Sequence, residues 1–300
     1  MQTYPMTEKP RKFGAGDLFL IASSFAWGLN FPIAKSVLAY MDPLVFSVVR
    51  YLVAALFLFS ILLFRGESLK INRQELFLLV FIGFLSISLF QGGWAFGLNL
   101  TSASKASILI ATAPIFGAFI ALARGEKTSA LGWSGIVLSL FGVFILINNS
   151  LTEITLGGGS LFGDLLIMGA ASIWAVYTLI SGPIILKRGP ILVTAWSMLF
   201  GALILSVFSY PSFAQQDWAA LPPVTWLAWG STAFLGASLA FIWYCTGIAK
   251  IGMTRGMVYG FLIPVVAIAT SLLFFGEHMS LIQIGGAAII LAGVKLTRSG

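Results

Sequence analysis

The chain has 300 residues, of which 59% are hydrophobic and 9% charged, and its mean hydropathy is +0.99. A soluble domain carries roughly 25% charged residues and keeps them on its surface, so this composition excludes a water-soluble fold and requires lipid as the solvent. The net charge of +7 admits nucleic acid or an anionic membrane surface as partner, and the lone cysteine, Cys245, excludes an intrachain disulfide.

Residues 1–16 read as a basic arm rather than a signal peptide, because the apolar segment that follows is too long for a signal core. A membrane crossing takes about 20 largely apolar residues. Ten such segments follow in order: 17–39, 43–64, 75–98, 102–123, 129–148, 161–185, 190–210, 223–249, 255–275 and 279–297. The expected fold is therefore all-α and integral to the membrane, with no room for a soluble domain.

The basic residues orient these spans. With the N-terminus in the cytoplasm, the inner side holds Lys9, Arg11, Lys12, Arg65, Lys70, Arg73, Arg124, Lys127, Lys187, Arg188, Lys250, Arg255, Lys295 and Arg298. The outer loops hold Lys105, while Lys35 and Arg50 lie inside spans. One wrong span would invert every later loop, so the positive-inside rule predicts ten crossings with both termini cytoplasmic. It also accounts for the basic balance, which leaves no basic stripe for nucleic acid.

The two halves resemble each other. Gly16-Asp17 and Gly163-Asp164 each open a half, with Trp27 and Trp174 at equal distances beyond. Pro43 and Pro190 begin the second spans, Gly97 and Gly247 close the third, and Pro114 and Pro264 lie in the fourth. Gly125-Glu126 and Gly276-Glu277 follow, then Gly135/Gly142 and Gly286/Gly293 in the fifth. Because five is odd, residues 161–300 must enter the membrane from the side opposite to 17–148, with 149–160 as an outer connecting loop. That is an inverted repeat, a recurrent transporter plan with its site near mid-membrane at the repeat interface.

Trp27, Pro43, Arg50, Ala113-Pro114, Gly125-Glu126, Gly135 and Gly142, with Trp174, Pro190, Pro264, Gly276-Glu277, Gly286 and Gly293, resemble the EamA-type repeat of the drug/metabolite transporter superfamily over nearly the whole chain. The resemblance implies a basket of ten helices in the plasma membrane, in bacteria the inner membrane, working without ATP-hydrolysing domains. The aromatic content looks most like the YddG-type exporters of aromatic and other neutral amino acids, and export is implied by that resemblance alone.

Candidate binding residues come from polar and aromatic positions at mid-span. Ser23, Trp27 and Asn30 share one face of the first helix, and Trp174, Tyr177 and Ser181 share one face of the sixth. Gln91 and Trp94 lie on a face of the third, with Phe241 and Tyr244 as counterparts on the eighth. Ser107 and Phe261 lie on the fourth and ninth, where Met257 corresponds to Ser107. Indole, phenol and amide groups at membrane depth suit a zwitterion with an apolar side chain, the rings contacting that side chain or the ammonium. The competing reading is helix packing or an interfacial aromatic belt, which does not reach the mid-span positions of Trp27 and Trp174. Pro114 and Pro264 each remove a backbone donor and are expected to kink their helices as hinges.

All ten acidic residues are expected in loops or at span ends, and the lone histidine, His278, in an outer loop. Proton relays need carboxylates or histidines at depth, so facilitated movement down a gradient is the simpler expectation. Asp17 and Asp164 read as helix caps, as do Glu126 and Glu277 for the fifth and tenth helices. Arg50 and Lys35 are expected to snorkel outward, Arg50 beside Asp42, with carboxylate binding by Arg50 as the alternative.

No cofactor or metal is expected. An intramembrane enzyme lacks its nucleophile–base pair, and no Walker A sequence occurs. The competing readings are an exporter of small cationic or lipophilic drugs and a membrane scaffold without transport. The partners expected are a small-molecule substrate and the lipid bilayer. The paired glycines of the fifth and tenth spans favour close helix packing, and a homodimer seamed on them stands as an alternative to a monomer.

Overall fold

The computed structural model describes residues 13–123, 129–148, 159–251, 259–260 and 262–299. Residues 1–12 of the basic arm, Gly125-Glu126, most of the 149–160 loop, Arg255, Met257 and Phe261 lie outside the described residues. No strand occurs among the described residues.

The helices fall on the predicted segments. α1 spans Ala15–Leu38, α2 Pro43–Phe64 and α3 Arg73–Leu100. A break follows between α4 (Ala103–Ile110) and α5 (Ala113–Ala123), and α6 spans Ala130–Asn148. α7 spans Gly159–Arg188 and α8 Pro190–Gln215. α9 runs through Pro223–Ser231, Thr232–Leu239 and Ala240–Ile251, followed by α10 (Leu262–Phe274) and α11 (Leu281–Ser299). Six helices among the described residues are long and apolar enough to cross a membrane: α1, α2, α3, α7, α8 and α9. The others are shorter and apolar.

Local chemistry explains the ends. Asp42 accepts from the amides of Leu44 (2.8 Å) and Val45 (3.3 Å), and Pro43 begins the helix where its missing N–H costs nothing. Asp42 therefore caps α2 and does not pair with Arg50. Asn72 and Glu75 form a capping box at α3, and Ser280 with Gln283 caps α11 reciprocally. Asp17 sits in the capping box of α1 and also accepts from Tyr259 at 2.7 Å. Glu277 does not cap the tenth span as expected. Its carboxylate accepts from the amides of Ala103 (2.7 Å) and Ser104 (3.0 Å), capping α4 across the molecule.

Lys35 reaches beyond its own helix at the same end of the bundle. Its Nζ donates to the carbonyls of Leu98 (2.8 Å) and Asn99 (2.7 Å), neutralising the negative end of α3. Asp164 is no cap either: it lies inside α7, fully buried, accepting from Thr101 Oγ1 at 2.6 Å and paired with Lys105 Nζ at 2.7 Å. Lys105 is thus buried in the first turn of α4 rather than standing in a loop. Two acids among the described residues are thus buried, Glu75 and Asp164, each near the start of its helix.

α6 packs along α11, α2 along α8, α1 against α9 and α10, and α3 against α7 and α8. Glycines set the closest approaches. A Cβ at Gly142 would meet the Gly286 carbonyl and the Ile290 amide at 2.8 Å, and one at Gly286 would meet the Leu146 amide at 3.0 Å. The paired glycines Gly142 and Gly286 of the fifth and tenth spans therefore face each other within one chain. Elsewhere, α2, α3, α9 and α10 carry Leu63, Phe64, Phe77, Leu227, Leu273 and Phe274, exposed apolar side chains suited to lipid.

Candidate functional site

Two long helices, α3 and α9, contain a stretch of π-helix: Phe84–Gln91 and Thr232–Leu239. A π turn widens the coil and leaves carbonyls available to partners outside the helix; such turns recur at functional sites. In α9 those carbonyls are used. Gly236 O accepts from Trp27 Nε1 (3.0 Å), Thr232 O from Arg50 Nε (3.1 Å), and Ala240 O, just beyond, from Ser23 Oγ (2.9 Å). In α3 the widened stretch packs on α8, with Ser88 Oγ donating to Gly201 O at 2.9 Å.

Between the helices lies a cavity of about 480 Å³, lined from both halves of the chain. Such a volume suits a small organic solute. Trp27, Asn30, Gln91, Trp94, Ser107, Trp174 and Tyr244 all line it. Tyr177 is not in the lining; it packs behind Trp174 with ring centroids 5.0 Å apart. Phe261 lies outside the described residues. The two repeat-related tryptophans meet, Trp27 and Trp174 standing edge to face at 6.5 Å, and Phe241 and Tyr244 close on Trp27 at 5.2 and 5.1 Å. Phe90 packs on Trp174 at 4.9 Å, and Phe31 on Trp94 at 5.4 Å.

The two indoles differ in their hydrogen bonding. Trp27 is held by the Gly236 carbonyl, whereas Trp174 Nε1 makes no hydrogen bond among the described residues. The Gln91 amide is likewise unengaged among the described residues, and both residues line the cavity.

Arg50 departs from the expectation that it reaches outward. It does not snorkel: it is 2% exposed and sits in the cavity wall. Nη2 donates to Asn30 Oδ1 at 3.2 Å, and the guanidinium lies 5.0 to 5.6 Å from the ring centres of Tyr51, Phe46 and Trp94. Gly236 makes room for this pair, since a Cβ there would stand 3.0 Å from Asn30 Cγ and 3.1 Å from Arg50 Nη2. The chamber is therefore aromatic but not uncharged. A polar neighbour such as Asn30 one helix away was the available signal; the pairing itself depends on α9, far away in sequence. Thr178, Gly182 and Gly236 in the lining carried no signal that set them apart from packing residues.

The prolines are placed differently from the expected mid-helix kinks. Pro114 is the second residue of α5 and Pro264 the third of α10. A first-turn proline loses no helical bond. The discontinuity is the turn at Ala111-Thr112, ahead of Pro114, and the short 3₁₀ turn at Tyr259-Gly260 ahead of Pro264. Ala111, Ala113 and Gly260 line the cavity, so both discontinuities border it. No group of three or more metal-ligating side chains occurs among the described residues.

The chain is similar to known proteins over most of its length. It is 29% identical over 277 residues to the uncharacterized transporter YvbV of Bacillus subtilis, covering 91% of this chain and 88% of that one. It is 29% identical over 295 residues to the uncharacterized inner membrane transporter YedA of Escherichia coli K12, covering 96% and 90%. A crystal structure 16% identical in sequence shares the fold, with a TM-score of 0.67 over 94% of this chain and 95% of that one. The pattern of the EamA-like transporter family matches twice, over residues 14–148 and again over 161–299, and on that ground the chain belongs to this family of membrane transporters.

Proposed function

We propose that this protein carries small neutral metabolites, foremost aromatic and other neutral amino acids, outward through the membrane by alternating access, in the manner of YddG-type exporters. Two inverted five-helix halves supply the two states, and neither ATP nor a proton gradient drives the cycle. The observation that carries this reading is the aromatic cavity, in which Trp27 of the first half and Trp174 of the second face one another.

Helix contacts support the inverted repeat. Exchanging the halves maps α1 on α9 to α7 on α3, and maps α2 on α8 and α6 on α11 to themselves. The correspondence reaches single residues. A Cβ at Gly97 would stand 2.9 Å from the Gly163 carbonyl, and one at Gly247 3.0 Å from the Gly16 carbonyl. Similar halves in inverted orientation provide inward-open and outward-open states of similar energy. The lining includes Gly117, Ile120 and Gly182, on the stretches of α5 and α7 that lead to the basic turns, while Lys105, Asp164, Lys35 and Glu277 make their polar contacts at the other end of the bundle. With the basic turns cytoplasmic, this is an inward-facing arrangement. The turns ahead of Pro114 and Pro264 are the proposed hinges.

The gradient-driven reading rests on the described lining, which holds no Asp, Glu or His; Asp164 is buried elsewhere and neutralised by Lys105. Counterflow in liposomes, with a panel of amino acids, organic cations and sugar phosphates, tests the whole reading. Exchange of neutral amino acids is expected; preference for a phosphate ester or an organic cation defeats the substrate class. Strong stimulation by an imposed proton gradient at a fixed solute gradient defeats the uncoupled mechanism.

A further inference from the structure

We infer that Arg50 is the carboxylate receptor of the cavity, and that the substrate class is defined by one carboxylate on an aromatic or apolar body, with or without an ammonium group. This rests on the transport reading above and names the chemistry of the same site.

A buried guanidinium without a counter-anion is costly, because desolvation is not repaid by a partner charge. Arg50 is 2% exposed and forms no ion pair among the described residues. Asp42, the nearest acid in sequence, is occupied in capping α2. The protein has held the cation in place instead. Nε is fixed by the Thr232 carbonyl and Nη2 by Asn30, and the rings of Phe46, Tyr51 and Trp94 supply cation–π contact. These contacts orient the fork and leave the Nη1 side without an acceptor among the described residues. A guanidinium so prepared matches a planar carboxylate in two parallel hydrogen bonds. Gln91, one turn from Trp94 on α3, lines the same cavity.

The opposite charge is missing from the other side of the recognition. No Asp or Glu is among the described lining residues, so a substrate ammonium meets only ring faces and neutral amides. Removing the ammonium from a substrate should therefore matter less than removing the carboxylate. Cationic solutes, for which an uncharged aromatic chamber was suited, are repelled by Arg50.

The test uses the full chain in liposomes loaded with phenylalanine, with 3-phenylpropionate and phenylalaninamide as external competitors in counterflow. Phenylpropionate is expected to compete within about tenfold of phenylalanine, and phenylalaninamide at least tenfold more weakly than either. Equal competition by the amide overturns the role of Arg50 while leaving transport intact. No exchange of phenylalanine or of any other amino acid removes the transport reading itself. Arg50→Gln, and Arg50→Lys as the charge-retaining control, are compared by binding titration in detergent after a check of melting temperature. The acid-over-amide preference is expected to vanish in the first and survive in part in the second; its full retention in Arg50→Gln overturns the proposal. Should Arg50→Gln fail to fold, the competition series on the unaltered protein decides alone.

Discussion

Lys105 Nζ lies 2.7 Å from Asp164 Oδ2, and this ion pair, with both side chains nearly inaccessible, ties the first half of the chain to the second. Thr101 Oγ1 completes the carboxylate at 2.6 Å. Removing one partner leaves an uncompensated buried charge, which costs about 3–5 kcal/mol, whereas removing both does not. Asp164→Asn and Lys105→Met are each expected to lower the melting temperature in detergent, and the double variant to recover part of the loss. Additive losses in the double-mutant cycle would show that the two residues act independently.

The glycines divide into those that set helix contacts and those that leave space for solute. Gly142→Val forces apart α6 and α11, where a Cβ already meets backbone atoms at 2.8 Å, and overpacking of this kind costs about 1–3 kcal/mol. Gly182→Ala meets nothing within 4 Å and projects into the cavity. It is expected to preserve or raise the melting temperature, since helical Ala is favoured over Gly by about 0.8–1.0 kcal/mol, while slowing exchange of bulky aromatic solutes. Thermal melts beside counterflow rates separate the two classes.

Pro114 and Pro264 begin their helices directly after a discontinuity bordering the cavity. Replacing either with Ala restores a backbone donor and favours a helix that continues through the turn. Pro114→Ala and Pro264→Ala are expected to change transport rates several-fold with normal membrane insertion. Unchanged rates in both would remove the hinge role.

Ser68 lies between α2 and α3, and Asp217 between α8 and α9. The proposed topology puts the first in the cytoplasm and the second outside. In a Cys245→Ala background, a membrane-impermeant thiol reagent applied to intact cells should label Asp217→Cys and spare Ser68→Cys. Labelling of both from one side would undo the antiparallel arrangement of the halves.

Much of the fold was legible in the order of residues because lipid imposes a simple constraint. Helices that cross it must be apolar along some twenty residues, and the paired signatures at Gly97/Gly247 and Trp27/Trp174 mark repetition in plain view. Those signals are local or periodic, so they survive in one dimension. The partners of Arg50, Asp164, Lys35 and Glu277 are not of that kind. Each side chain bonds to a helix other than its own, often in the other half, and its burial depends on which helices stand beside it. Position within a span suggested that Arg50 reaches outward to water; packing of α2 against α9 turned it into the cavity, beside a π-helical carbonyl that no spacing rule announces. Burial and pairing of charge are properties of neighbours in space, and for this protein those neighbours lie 20 to 182 residues apart in sequence.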